Sequence, residues 1–152
     1  MLGSTHIIIG ATVAQASGNY PLGLSLAFLS HFILDAIPHL DFEVPEKGNP
    51  KVYQYILASL DSLIAIGVVI YFGYMSLELD LALLLWGGFF GLVVDLWLHV
   101  PIWKKCTRGI WPSFYKFHYD IQHLWYQPNK FIGYSTNLIL IIGGVWYLFL
   151  SS

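Results

Sequence analysis

Six histidines, His6, His31, His39, His99, His118 and His123, share this chain with Asp35, Asp41, Asp61, Asp95 and Asp120 in a spacing that suits metal chemistry. His31 and Asp35 are four residues apart, so on a helix they lie on one face. His39 and Asp41 follow just beyond Pro38. Asp95 and His99 repeat the four-residue interval, again with a proline, Pro101, close behind. Neutral imidazole and carboxylate together bind Zn²⁺, Mn²⁺ or Fe²⁺. One or two such ions are therefore expected, with Zn²⁺ the leading choice. The ligand set read from the sequence is His31, Asp35, Asp95, His99, His6 and, last, Asp61, with His39, Asp41, His118 and His123 as further ligands, their supporting partners or acid/base groups. Asp61, flanked by Leu60, Leu63 and Ile64, or His123 is read as the general base or acid. Each feature alone also has a plainer reading. An Asp-x-x-x-His pair at a helix end can bond to backbone, and the two histidines of His118-x-x-x-x-His123 can lie on an amphipathic headgroup face.

The elements that must carry these residues are membrane helices. Of 152 residues, 57 % are hydrophobic, 17 % aromatic and 11 % charged. Soluble domains carry about a quarter charged residues. The fold class expected is an all-α polytopic membrane bundle, one domain over residues 1–152. Five apolar segments run from about Thr5 to Ser17, Pro21 to Ile37, Tyr53 to Tyr74, Leu79 to His99 and Phe131 to Leu150. A span needs about 20 residues, so the last three qualify, the second is marginal and the first is short. An interfacial helix is expected from about Ser113 to Tyr126, inside an aromatic and basic stretch, 103–130. Gly18-Asn19-Tyr20-Pro21 is a tight turn signal joining the first two helices as a hairpin. Gly87 and Gly91 form a small-x-x-x-small pair suited to close helix packing.

Charge places the polar ends. All seven Lys and Arg residues fall in two connections: Lys47 and Lys51, then Lys104, Lys105, Arg108, Lys116 and Lys130. With five spans both connections lie on one side, which the positive-inside rule makes cytoplasmic, with the N-terminus inside. Every histidine then converges on that face. The net charge of −2 gives no basic field for nucleic acid. The single cysteine, Cys106, allows no internal disulfide. No basic residue precedes the first apolar run, which argues against a signal peptide.

His6-Ile-Ile-Ile-Gly10 and Leu34-Asp35-Ala-Ile-Pro-His39-Leu-Asp41 resemble the bacterial membrane-bound metal-dependent hydrolase family, which is similar to zinc-dependent phospholipase C. The resemblance covers roughly the first 41 residues. It implies an inner-membrane location and metal-ligand status for His6, Asp35, His39 and Asp41. That family carries a His-Arg-x-x-Thr-His-Ser type element at its third helix, where this chain has Tyr53-Gln54-Tyr55 and Asp61. The function expected is hydrolysis of a lipid or phosphoester at the membrane surface, with membrane lipid as the surroundings. The alternatives left open are a non-catalytic metal-binding or transport protein and a small structural or partner-binding membrane protein.

Overall fold

The computed structural model describes residues 1–40, 51–99, 111–124 and 129–152, with the backbone alone at His99 and Trp111. Among these residues there are six helices and no strand: α1 (Gly3–Ser17), α2 (Tyr20–Ala36), α3 (Val52–Met75), α4 (Leu81–His99), α5 (Trp111–Gln122) and α6 (Lys130–Leu150).

Three helices, α3, α4 and α6, are long and apolar enough to cross a membrane. The five spans expected from the sequence are thus matched at three. The 15 residues of α1 extend only about 22 Å against a hydrocarbon core of ~30 Å. α2 is apolar but has 17 residues. The reason α1 tolerates its length is its place: it packs against α4, α2, α3 and α6. Ile7, Ile8 and Ala11 of α1 sit in the central apolar cluster with Ala65, Val69, Leu79, Leu84 and Leu148. The outer faces are apolar instead of charged. Leu22, Leu26, Leu29 and Ile33 of α2, and Leu60, Leu63 and Ile64 of α3, are exposed, while Ser4, Thr5, His6, Ser30, His31, Asp35 and Asn137 are buried. Polar groups inside and hydrocarbon outside suit lipid as the solvent.

The turn between α1 and α2 follows its sequence signal. Gly18 closes α1 in the left-handed region at φ 60°, which costs a glycine little. The Asn19 side chain accepts the Leu22 amide at 3.0 Å, capping α2. The tight α1–α4 contact likewise follows from small residues. A Cβ on Gly87 would stand 2.4 Å from the Ala14 Cβ, and one on Gly91 would stand 2.4 Å from the His6 carbonyl oxygen.

At one end of the bundle, Asp80 ties three helices together. Its carboxylate accepts the Leu83 amide at 3.0 Å and the Tyr20 hydroxyl at 2.8 Å, and its amide donates to Gln15 Oε1 at 3.2 Å. The Leu83 amide above all, with the Tyr20 hydroxyl, holds the Asp80 carboxyl below its ordinary value. A depressed carboxyl stabilises the fold above its unfolded-state pKa, and that contribution disappears as pH falls through the folded-state value. Asp80→Ala should cost about 1 kcal/mol at neutral pH, the usual worth of a helix cap. Thermal unfolding in detergent should show the gap between variant and wild type narrowing on acidification. A gap independent of pH would remove Asp80 from this role.

Candidate metal centre

The other end of the bundle gathers the start of α1, the ends of α2 and α4, and α5. His6 comes from α1, His31 and Asp35 from one face of α2, Asp95 from α4 and His118 from α5. His118 arrives because the aromatic side of α5 seats on its neighbours. Phe114 stacks on Trp97 with ring centroids 5.0 Å apart, and Phe117 lies 5.6 Å from Phe32. The opposite side of α5 carries the exposed Lys116–Asp120 pair at 2.7 Å.

His31 Nε2, His118 Nε2, Asp35 and Asp95 offer ligand atoms that all lie within 4.8 Å of one another. Asp35 Oδ2 is 3.1 Å from His31 Nε2 and 2.9 Å from His118 Nε2. Asp95 Oδ1 is 3.7 Å and 3.9 Å from the same two atoms. The two Nε2 atoms are 3.1 Å apart. Donors held 2.0–2.1 Å from a tetrahedral ion lie roughly 3.3 Å from each other, so these separations suit a shared cation. Asp35, His31 and His118 are buried, while the Asp95 side chain is 19 % exposed.

The orientation of His31 sharpens the case. Its Nδ1 lies 2.8 Å from the Gly91 carbonyl oxygen. A carbonyl only accepts, so Nδ1 carries the hydrogen, and in the neutral ring Nε2 presents a lone pair to the cluster. That lone pair faces a carboxylate oxygen and a second imidazole nitrogen. A cation among them removes the conflict. Histidine ligands commonly donate their second ring hydrogen to a carbonyl in this manner. The Met1 amine, 3.0 Å from Asp35 Oδ1, balances part of the carboxylate charge from the other side.

The other residues that the sequence nominates divide. His6 joins the cluster, with Nε2 3.2 Å from Asp35 Oδ1 and 3.8 Å from Asp95 Oδ2. His39 stands at its edge, Nε2 3.9 Å from Asp35 Oδ1, with Nδ1 donating to the Ile37 carbonyl at 2.7 Å. Asp61 does not join it: its carboxylate accepts the Ser4 amide at 2.7 Å at the start of α1. His123 is exposed, bonded through Nδ1 to the Tyr119 carbonyl at 2.8 Å and stacked on the Tyr119 ring. Asp41 and the His99 side chain lie outside the described residues.

No family model matches the chain, and neither a characterised protein nor a solved structure is significantly similar to it.

Three groups at the centre escape a reading of His and Asp. Gln122 donates from Nε2 to Asp35 Oδ2 at 3.3 Å. The Gly91 carbonyl orients His31. Asn137, buried in α6, accepts the Thr5 hydroxyl at 3.1 Å and donates to the Leu40 carbonyl at 2.9 Å, fixing the segment that leads into His6. A lone Asn within an apolar span is the signal that could have singled it out.

Proposed function

We propose that the chain is a membrane-embedded, metal-dependent hydrolase acting on a lipid or other phosphoester at the cytoplasmic face. The observation that carries the reading is the convergence of His31, His118, Asp35 and Asp95 from three separate helices. Buried carboxylates and imidazoles cost desolvation energy that a bound ion repays. Two nitrogens and two carboxylate oxygens suit Zn²⁺, with Mn²⁺ or Fe²⁺ also compatible. When bound there, such an ion would supply an acidified water, with a pKa of about 7, and a polarised phosphoryl oxygen.

The chain's own residues supply the rest. His31 is held in one tautomer by Gly91, and Gln122 fixes Asp35. Asp95 is the partly exposed member of the set and would be the group nearest an incoming substrate, while the exposed apolar side chains of α2 and α3 suit the acyl region of lipid. The exposed residues Lys51, Lys116 and Lys130 belong to connections at this same end, which supports a cytoplasmic site by the positive-inside rule. A transport role draws less support, because the core between the centre and the opposite end is apolar: Ile7, Ile8, Ala65, Val69 and Leu148.

His118→Ala removes one ligand without touching α1, α2 or α4. Loss of an outer partner of a metal ligand already costs 10- to 100-fold in affinity or activity, so this variant should lose more than roughly 100-fold in Zn²⁺ affinity and in turnover of a phospholipid analogue. Competition with a chromophoric chelator reads the first and product release the second. Unchanged Zn²⁺ affinity would remove His118 from the ligand set. Metal loss with turnover intact would keep the site and reject the hydrolase.

A further inference from the structure

The four-ligand set above engages only one oxygen of each carboxylate. Asp35 Oδ2 and Asp95 Oδ1 are the atoms that face His31 and His118. The second oxygens turn the other way, and both turn toward His6. Asp35 Oδ1 lies 3.2 Å and Asp95 Oδ2 3.8 Å from His6 Nε2. The His6 side chain is fully buried; among the described residues its Nδ1 has no hydrogen-bond partner, and its Nε2 meets Asp35 Oδ1 as an ion-pair contact that lacks good hydrogen-bond geometry. The ring is held by stacking on His31, centroids 4.1 Å apart and planes at 21°. A buried imidazole whose polar atoms are poorly satisfied is costly, and here Nε2 points at two carboxylate oxygens that the first ion does not use.

We propose that the centre is binuclear: a second divalent cation is held by His6 Nε2, Asp35 Oδ1 and Asp95 Oδ2, and the two aspartates bridge the pair. This rests on the reading that His31 and His118 hold the first ion. Carboxylate-bridged pairs sit about 3.5–4 Å apart and stabilise both the attacking and the leaving oxygen of a phosphoryl displacement. The arrangement is therefore compatible with a phosphoester substrate. His39, whose Nε2 is 3.9 Å from Asp35 Oδ1, borders this second position.

The test uses the full chain purified in detergent, equilibrated with Zn²⁺ and counted by elemental analysis, then loaded with Mn²⁺ for electron paramagnetic resonance. Wild type should hold two equivalents of Zn²⁺ and His6→Ala one, and paired Mn²⁺ should give the closely spaced hyperfine lines of an exchange-coupled dimer. If His6→Ala does not fold, His6→Gln and the wild-type Mn²⁺ spectrum decide. One equivalent in wild type with an uncoupled Mn²⁺ signal would overturn the second site and leave the first standing, with the Met1 ammonium as the cation beside Asp35 Oδ1. Loss of all Zn²⁺ from folded His6→Ala would also overturn the partition, because His6 would then serve the first ion. No Zn²⁺ in wild type would sink this proposal and the hydrolase reading together.

Discussion

Asp35→Asn should empty the centre of metal and abolish its stabilising effect while leaving the helices inserted. Asp35 is the hub: Met1, His6, His31 and His118 all place a nitrogen within 3.2 Å of its two oxygens, and the side chain is buried. Asparagine keeps the shape, removes the charge and replaces one acceptor with a donor. Its amide hydrogens would then oppose any cation between His31 and His118. Metal content should fall more than roughly tenfold, since even outer partners of a ligand are worth 10- to 100-fold.

A stability arm separates metal loss from misfolding. A ligand that binds only the folded state stabilises it by about 2.7 kcal/mol at 100 times its Kd. A strong chelator should therefore lower the unfolding temperature of wild type and leave Asp35→Asn unmoved. Asp35→Ala is the poorer choice, because it also opens a cavity and strands the imidazoles, and breaking a buried charge pair costs about 3–5 kcal/mol by itself. Asp35→Asn that retains its metal and its response to the chelator would reject Asp35 as a ligand.

What the sequence makes legible here is periodicity and end-matching. His31 and Asp35 share a face because a helix repeats at 3.6 residues. The helix ends carrying His6, Asp35 and Asp95 meet because alternate helices reverse direction. The His118-x-x-x-x-His123 interval shows where such reasoning stops. Five residues turn a helix by about 140°, so the two rings cannot both face α2. Which one does is decided by Phe114 and Phe117 packing on Trp97 and Phe32, a tertiary contact with no trace in the spacing. Asp61 looks catalytic from composition, since an acid within a span is expensive. Its carboxylate instead satisfies an amide of the first turn of α1, one of the donors every helix start leaves open. The Gly91 carbonyl is invisible to any inventory of side chains. The length of α1 is equally ambiguous in the sequence: 15 residues read as a deficient span until the surrounding helices are seen to enclose it.

The second large effect should come from a single methyl group on a residue that is itself no ligand. In Gly91→Ala the new Cβ falls 2.4 Å from the His6 carbonyl oxygen and 3.2 Å from the Gly10 Cα. Both are backbone atoms, so no rotamer change relieves the clash and α1 must move away from α4. Overpacking of this kind costs about 1–3 kcal/mol. The displacement also strikes the centre twice, because His6 rides on α1 and His31 Nδ1 donates to the Gly91 carbonyl at 2.8 Å. Metal affinity should drop by roughly 10- to 100-fold, the usual cost of losing a ligand's orienting partner. Gly87→Ala supplies the comparison, since its Cβ meets the Ala14 Cβ at 2.4 Å one turn further from His6. It should lose comparable stability and less metal affinity. Gly67→Ala, with no heavy atom of the described residues within 4 Å of the new Cβ, should match wild type in both or gain up to about 1 kcal/mol from helix propensity. If Gly87→Ala and Gly91→Ala lose metal equally, packing alone governs the centre and the Gly91 carbonyl has no special hold on His31. If Gly91→Ala binds metal as wild type does, the close approach of α1 and α4 is not what positions the imidazoles.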